Sequence, residues 1–405
     1  MRQWHKEIDS DSRKQYDFLI ASFILTFVVA VYTDRTILLI PSGLMLTLFI
    51  ASKAYDRWSG GKLHLVNRRQ SIRMFPNDQG NIYFKLQNYS KAPVINGKLQ
   101  FVTGSTVVSE AYPYRDTPAG YKYSLPLSLM RKGETTVQLP VVAKQRGVAR
   151  ISDITFFFPH LIKFNPNMMK YLPDFETELI VYPELKSVKG IEAIFEIAQG
   201  SHAALLSPYE DVLTPLGTRE YVSSDPFHRI HWKASAKTQQ LRTKVLEKQV
   251  DISWSIVVNI SEETKLGNVH ISKQLENLLS YAAFLSQYAV RKGYQADMYI
   301  NGRKQQNPPY YYQEEGIGNQ HLRESLETLA RIRKDQFILP LDELVHRMEA
   351  QLYKRKTIII IGEIPNGARK QLEIWQARGI RLFQVMEEQG QAVAVPLEKR
   401  RAVHA

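Results

Sequence analysis

The chain has 405 residues, of which 44% are hydrophobic and 23% charged, so it is long enough for two ordinary globular domains and further segments. Its formal net charge of +13 favours anionic surroundings, either an acidic membrane surface or nucleic acid. The sequence contains no cysteine, which excludes a disulfide framework, a thiolate metal site and a cysteine nucleophile.

The N-terminal region has two uncharged apolar runs, Phe18 to Thr33 and Ile37 to Ser52, separated by Asp34 and Arg35. One helix over both runs would exceed about 50 Å, far more than the ~30 Å hydrocarbon core of a bilayer. We therefore expect a transmembrane helical hairpin over residues 16–56, with helices at about 17–33 and 36–53. A cleaved signal peptide is a weaker interpretation, because the second run begins almost at once.

Basic residues flank this hairpin on both sides, both within the polar segment 1–15 and after residue 52. The excess of Lys and Arg on cytoplasmic loops then predicts that both termini are cytoplasmic. The expected localisation is therefore the cell membrane, with a multi-pass topology and the membrane itself as a partner.

A period of two residues dominates from residue 63 to 185. Short strand-like runs such as 82–88, 98–103 and 134–139 alternate with turn residues, and no long helical pattern lies between them. Strands of this length and spacing predict a small antiparallel β-sandwich of immunoglobulin-like character. Such modules normally present surfaces and do not carry out chemistry.

Residues 199–250 are predicted to form a basic helix–strand unit led by a turn at Gly217. Ser224 or Asp225 is the expected N-cap, and Pro226 suits the first turn of a helix that ends near Thr238. Four-residue spacing places Arg229, Lys233 and Lys237 on one face of that helix, a set called the basic stripe below. Residues 241–248 then alternate like a strand.

Two interpretations of the basic stripe remain open. The lysines are either simply solvated or form a docking surface for something acidic, such as a protein, a phosphate or an anionic lipid. His228 and His231 suggest catalysis, because imidazole titrates near neutral pH. No carboxylate or cysteine stands beside them at a ligand-like spacing, so a structural or surface role is favoured.

This stretch resembles the signature of the bacterial domain-of-unknown-function 58 family. The matching positions are Gly217, Arg219, Tyr221, Asp225, Arg229, Ile230, Trp232, Lys233, Ala236, Lys237, Leu241 and Glu247. The likeness extends more loosely over nearly the whole chain. It implies a C-terminal domain similar to von Willebrand factor type A and an association with a MoxR-type AAA+ ATPase.

Strand-like and helical patterns alternate over residues 251–395. Apolar strands are expected at 254–260, 294–300, 357–361 and 380–385, with helices at about 271–290, 319–333, 341–353 and 366–377 and a loop at 307–312. This alternation predicts an α/β domain with a parallel sheet. Residues 396–405 are expected to be a solvated basic tail.

The resemblance also implies a place for a divalent ion after the first strand of this domain, where type A domains carry Asp-x-Ser-x-Ser. The matching residues are Asn259-Ile-Ser261-Glu-Glu263, so the motif is degenerate. Ser261, Glu263 and Glu363 still offer oxygen ligands to Mg²⁺. We expect no other cofactor, because no phosphate loop, dinucleotide fingerprint, HExxH pair or GxSxG motif occurs.

The sequence therefore favours a membrane-anchored, non-enzymatic adaptor or assembly factor that works with a MoxR-type AAA+ ATPase through cytoplasmic domains. One alternative is an enzyme acting on the cell envelope or on phosphoesters with Asp225, His228 and His231. Direct nucleic-acid binding is a second alternative that rests only on net charge and is not expected.

Overall fold

The computed structural model describes residues 3–7, 11–33, 36–160, 166–192, 194, 210–248, 253–264, 267–349, 352, 356–388 and 390–397. Residues 34–35 and most of the predicted tail, 398–405, lie outside this part of the chain. The chain divides into two compact units, Met1–Glu184 (unit 1) and Leu185–Ala405 (unit 2).

Unit 1 begins with strand β1 (Trp4–Glu7), followed by helices α1 (Asp11–Tyr32) and α2 (Leu39–Trp58). A short 3-10 turn, Thr36–Leu38, precedes α2. Helices therefore lie where the two apolar runs predicted them. Many large apolar side chains on both helices are exposed, among them Phe18 and Ile40.

The prediction of a transmembrane hairpin is wrong. Within the described residues, no helix combines the length and the apolar character that crossing a bilayer requires. Charged Asp17 precedes the uncharged part of α1, residues 18–32, which spans only about 22 Å against the ~30 Å of a hydrocarbon core. Lys53, Asp56 and Arg57 likewise shorten the apolar part of α2. The predicted membrane anchor and multi-pass localisation are wrong for the same reason, whereas the membrane as a partner stays a prediction.

Within unit 1, a buried polar cluster links α1 and α2 to β1 and to His160. The Tyr16 hydroxyl donates to Asp56 Oδ2 at 2.8 Å and lies 2.9 Å from Ser52 Oγ. His160 Nε2, in the segment after a long strand, lies 2.9 Å from the same Asp56 oxygen, and Lys6 Nζ lies 3.3 Å from Asp56 Oδ1. Burial, as the largest effect, raises the pKa of Tyr16 to about 12. Burial opposes ionisation of Asp56, but the hydrogen bond from His160 and the charge of Lys6 prevail and lower its pKa.

The predicted β-sandwich is present. Its strands are β2 (Leu63–Leu65), β3 (Ser71–Met74), β4 (Gln79–Asn88), β5 (Val94–Thr103), β6 (Val107–Val108), β7 (Tyr114–Thr117), β8 (Gly120–Leu129), β9 (Glu134–Ala143), β10 (Gly147–Phe158), β11 (Asn167–Tyr171) and β12 (Glu178–Val181). One sheet has the order β1-β11-β10-β5-β8-β7, with β12 pairing with β10 and β3 pairing with β12, and the other has the order β2-β4-β9-β6.

The two-residue period explains how these sheets pack. Along β4, Ile82, Phe84 and Leu86 are fully buried, while Tyr83 between them is exposed. The rings of Phe84 and Phe101, which come from the two different sheets, are 4.6 Å apart between centroids. Trp4 of β1 joins this core and β1 pairs with β11, so residues 4–7 belong to the sandwich.

Unit 2 contains a mixed seven-stranded sheet and two short hairpins. The strands are β13 (Val188–Lys189), β14 (Glu210–Glu220), β15 (Arg242–Lys248), β16 (Ser253–Val258), β17 (Ser261–Glu263), β18 (Val269–Ile271), β19 (Gln295–Arg303), β20 (Tyr310–Gly316), β21 (Thr357–Ile361), β22 (Arg381–Glu388) and β23 (Gln391–Pro396). The described helices of this unit are α3 (Trp232–Thr238), α4 (Leu275–Arg291), α5 (Gly318–Ala330), α6 (Leu341–Glu349) and α7 (Asn366–Ala377).

The large sheet has the order β13-β23-β22-β21-β16-β19-β20. Its four central strands, β22, β21, β16 and β19, pair in parallel, as the alternation of strands and helices predicted. The predicted loop at 307–312 is only partly a loop, because Tyr310 begins β20, an antiparallel edge strand on β19. The carboxyl ends of the parallel strands meet at one edge of this sheet.

Candidate functional site

The signature stretch forms a β-hairpin, with β14 antiparallel to β15. The register places Arg219 opposite Thr243 and Gly217 opposite Val245. The strand expected over residues 241–248 is confirmed. The turn expected at Gly217 is not found, because this glycine lies inside β14 beside a shift in register. Residues 199–209 of the predicted unit lie outside the described residues.

The single helix expected from Ser224 or Asp225 to Thr238 is interrupted. A 3-10 turn covers only Phe227–Arg229, and the backbone at Ile230 is extended, with φ −62° and ψ 129°. Helix α3 then begins at Trp232. The prediction was wrong because a local pattern of caps and spacing does not reveal a tertiary contact in the middle of the predicted helix.

That contact is made by Ile230. Its side chain is 2% exposed, and its backbone bridges to Thr243 of β15. The next amide, that of His231, donates to the Arg242 carbonyl at 2.7 Å. Burial of an isoleucine and bonding to the hairpin therefore outweigh continued helix formation. As a result, the basic stripe does not form one helical face.

Asp225 organises the connection between the hairpin strands, and it does so without capping a helix. Arg219 donates to both carboxylate oxygens, from Nη1 to Oδ2 at 2.7 Å and from Nη2 to Oδ1 at 2.5 Å. The Val222 amide and the Thr243 hydroxyl each donate to Oδ2 at 3.1 Å. The hydrogen bonds from Arg219 and from Val222 lower the pKa of Asp225 to about 2. The carboxylate is therefore charged at neutral pH and fully engaged in holding the loop.

This loop presents aromatic and basic side chains to solvent. Phe227 is 70% exposed and Trp232 is 62% exposed, with 6.5 Å between their ring centroids. Lys233 and Lys237 on α3 are also exposed. We call Phe227, Trp232, Lys233 and Lys237 the signature surface. Tyr221, whose ring centroid is 6.4 Å from that of Phe227, supports it from the end of β14.

The two histidines have different surroundings. His231 is the N-cap of α3, where its Nδ1 accepts a hydrogen bond from the Ala234 amide at 3.0 Å. His228 lies in the 3-10 turn and is exposed. A nitrogen that accepts a backbone hydrogen bond is committed to structure, so the geometry favours the structural interpretation of His231.

A second cluster lies at the carboxyl end of the parallel sheet in unit 2. Asn259 follows β16, Asn301 lies in β19, and Ser261 begins β17; all three are buried, with at most 7% exposure. Asn301 Nδ2 lies within hydrogen-bonding distance of three acceptors, which share its two hydrogens: Asn259 Oδ1 at 2.7 Å, the Leu339 carbonyl at 3.0 Å and Ser261 Oγ at 3.1 Å. We call Asn259, Ser261 and Asn301 the amide network.

A cavity of about 270 Å³ opens next to this network. Ser261, Glu263 and Glu363, the residues predicted as magnesium ligands, all line it, together with Glu262 and Asp342. The structure therefore brings the three predicted residues to one place. Among the described residues, however, no group of three or more His, Asp or Glu side chains is arranged to hold a metal ion.

A buried ion cluster in unit 2 had no signal in the sequence. Lys356 Nζ lies 2.8 Å from Asp297 Oδ2 and 2.8 Å from Glu315 Oε2. The side chains of Lys356 and Asp297 are only 10% and 2% exposed. Burial is the largest effect on Asp297 and raises its pKa, whereas its hydrogen bond with Lys356 acts in the opposite direction. Lys356 is 59 positions from Asp297 and 41 positions from Glu315 in the sequence, so periodicity could not reveal this cluster.

Comparison with known proteins bears on this part of the chain. Residues 217–392 match the model of the family described as protein of unknown function DUF58. The resemblance to this family that the sequence predicted is confirmed over these residues. The DUF58 match covers the signature hairpin from Gly217 onward, the amide network and the cavity. It does not include α1, α2 or the β-sandwich, which all lie in unit 1. No curated protein matches the chain.

Several solved structures show a weak likeness to the chain. A CARDB domain from Pyrococcus furiosus is 12% identical, with 29% of this chain and 83% of that chain covered and a TM-score of 0.17. A non-cellulosomal cohesin from Archaeoglobus fulgidus is 12% identical, with 33% and 97% covered and a TM-score of 0.21. Likenesses of this size do not bear on function, and the expected type A likeness of unit 2 stays a prediction.

Proposed function

We propose that this DUF58 protein is a non-enzymatic adaptor or assembly factor that docks a MoxR-type AAA+ ATPase through the signature surface. The observation that carries the proposal is the exposure of Phe227 and Trp232 in the connection between β14 and β15, which the Arg219–Asp225 ion pair holds. Exposed aromatic rings on a fixed frame are the side chains that most often dominate binding energy at protein interfaces. The family resemblance supplies the candidate partner.

The charges beside the rings indicate the chemistry of the partner's surface. Lys233 and Lys237 are exposed on the same short helix as Trp232. Lysines at the rim of an interface add little affinity, but they steer association towards an acidic surface and against basic ones. The docking site on the ATPase should therefore offer an apolar pocket for the rings within an acidic rim.

The surroundings of the candidate catalytic residues favour an adaptor over an enzyme. Asp225 accepts four hydrogen bonds, three of them on Oδ2, and the lowering of its pKa to about 2 makes it a poor general base. His231 caps α3 with its Nδ1 atom. Two of the three residues of the enzyme hypothesis thus have structural roles that account for their presence.

A binding assay with the purified full chain and the MoxR-type ATPase of the same genome tests the proposal. The ATPase is loaded with a non-hydrolysable ATP analogue, and its affinity is measured for wild type, Trp232→Ala and Lys233→Glu. Loss of a central aromatic anchor should weaken binding roughly 30-fold. Lys233→Glu should slow association and reduce its dependence on salt.

Matched controls lie in the same unit. Phe337 is 82% exposed and Lys273 is exposed outside the hairpin, so Phe337→Ala removes an exposed aromatic ring and Lys273→Glu reverses an exposed charge away from the signature surface. Both should leave affinity unchanged. The proposal fails if wild type does not bind the ATPase, or if Trp232→Ala binds as tightly as Phe337→Ala.

A further inference from the structure

The amide network occupies the place where the type A resemblance implies a divalent cation, so its donor set can be tested for such an ion. Asn259 Oδ1 accepts three hydrogen bonds, from the Ser261 amide at 3.1 Å, from Ser261 Oγ at 2.6 Å and from Asn301 Nδ2 at 2.7 Å. A carbonyl oxygen has two lone pairs. This oxygen is therefore saturated by protein donors and has nothing left for a metal ion.

The other atoms of the network are committed as well. Ser261 Oγ donates to Asn259 and accepts from Asn301 at 3.1 Å. Asn301 Oδ1 accepts from the Ile260 amide at 2.7 Å. The network is neutral and buried, and its amide and hydroxyl groups have partners, which is the condition under which a buried polar network is stable.

The remaining amide hydrogens of Asn259 make the contact that explains the asparagine. Nδ2 donates to the backbone carbonyl of Glu363 at 2.6 Å, and this bond joins the end of β16 to the segment after β21. An aspartate would place an oxygen against that carbonyl, and two acceptors repel unless a cation lies between them. The NH₂ group therefore makes the link that a cation makes between two oxygen atoms.

The carboxylates near the cavity do not compensate for the saturated network. Glu263 and Glu363 are exposed. Within the described residues, they do not join a group of three or more side chains placed to hold an ion. Mg²⁺ requires nearly octahedral coordination at about 2.0–2.1 Å, and the donor set around Asn259 does not fit that requirement.

We infer that the neutral network of Asn259, Ser261 and Asn301 takes the place of a divalent cation at the carboxyl end of the sheet, so that unit 2 folds without one. The inference is independent of the proposed ATPase partner. It gives a physical reason why this sequence differs from the type A motif, since one amide group replaces a charged ligand together with its ion.

Thermal unfolding of the full chain in millimolar MgCl₂ or MnCl₂ and in EDTA tests this inference. An ion that binds only the folded state raises the midpoint temperature of unfolding as the ion concentration rises. Wild type should unfold at the same temperature in all three solutions. Asn259→Asp should unfold several degrees lower in EDTA and regain stability as either ion is added.

The control is Asn319→Asp, which makes the same charge change at an exposed residue of α5 outside the network. It should show neither the loss nor the response to ions. The inference is overturned if wild type is stabilised by Mg²⁺ or Mn²⁺ and Glu263→Gln or Glu363→Gln removes that effect. It is also overturned if Asn259→Asp is as stable as wild type in EDTA. Should Asn259→Asp not fold, the wild-type titration decides alone.

Discussion

The signature hairpin and the carboxyl end of the sheet each centre on one short side chain, and the two side chains have nearly the same shape. Asp225 keeps 11% of its side chain exposed and is charged beside a half-exposed arginine. Asn259 is 1% exposed and neutral among amides and a hydroxyl. The comparison shows how burial decides between carboxylate and amide, because an unpaired charge is costly to bury and an amide with its hydrogen bonds satisfied is not.

The ion cluster of unit 2 marks the limit of that rule. Lys356 and Asp297 are both charged types and nearly as buried as Asn259, and Glu315 completes the cluster. A buried charge is retained when its partner is equally buried and well placed. Three regions thus give three solutions, namely a partly exposed ion pair, a buried neutral network and a largely buried ion cluster, and each solution predicts a different response to mutation.

The largest effect should come from Lys356→Met. Removing the ammonium leaves Asp297 and Glu315 facing each other without a cation, and breaking a buried pair in this way costs about 4 kcal/mol of unfolding free energy. Denaturant unfolding of the full chain measures the loss. Lys334→Met is the control, because Lys334 is 72% exposed and lies 3.5 Å from Glu276, so it should cost less than about 1 kcal/mol. Equal losses in the two variants would contradict the prediction.

The second-largest loss of unfolding free energy should come from Asn259→Leu, which keeps the shape of the side chain and removes its polar atoms. Asn301, Ser261 and the Glu363 carbonyl each lose a partner inside the protein. Leaving such groups unsatisfied should lower the free energy of unfolding by about 3 kcal/mol. Denaturant unfolding beside Asn319→Leu, an exposed change of the same kind, provides the comparison. A loss no greater than that of the control would show that the network contributes little.

The signature hairpin should respond to pH in a way that the neutral amide network should not. The folded-state pKa of Asp225 is lowered from an ordinary 3.8 to about 2, so its stabilisation is complete above the ordinary value and is lost as the pH falls through about 2. Hydrogen exchange of the Val222 amide, corrected for its intrinsic rate, should lose protection between about pH 4 and pH 2.

Asp225→Asn provides the control for this titration. It keeps an oxygen acceptor but has no charge to lose, so the protection of Val222 should start lower and stay flat over the same range. A flat profile in wild type would mean that the carboxylate does not hold the loop.

The sequence predicted the periodic parts of the fold well. Alternation along 82–86 and continuous apolar residues at 358–361 predicted strands that the structure contains, because burial on one or both faces of a strand produces a regular sequence pattern. The transmembrane hairpin was wrong because the runs between Asp17 and Lys53 look long enough in the sequence to span a bilayer, whereas no described helix is both long and apolar enough. The interrupted helix failed because the contact of Ile230 with β15 is tertiary.

The candidate sites were predicted less well than the fold. Chain spacing correctly brought Ser261, Glu263 and Glu363 to one cavity, since the carboxyl ends of parallel strands meet. It did not reveal Asn301, which is the centre of the amide network and looks like an ordinary strand residue. A signal did exist, because an asparagine near the end of an apolar buried strand requires hydrogen-bond partners.

The smallest effect should distinguish the two histidines and bears directly on the enzyme alternative. His231→Ala removes the N-cap acceptor of α3, which should cost about 1 kcal/mol and speed hydrogen exchange of the Ala234 amide roughly fivefold. His231→Asn should restore most of the protection, because asparagine is a strong N-cap residue. His228→Ala should have no effect, since His228 is exposed and makes no cap. If both alanine variants instead left exchange at Ala234 unchanged, the structural role of His231 would be wrong and a functional histidine pair would regain support.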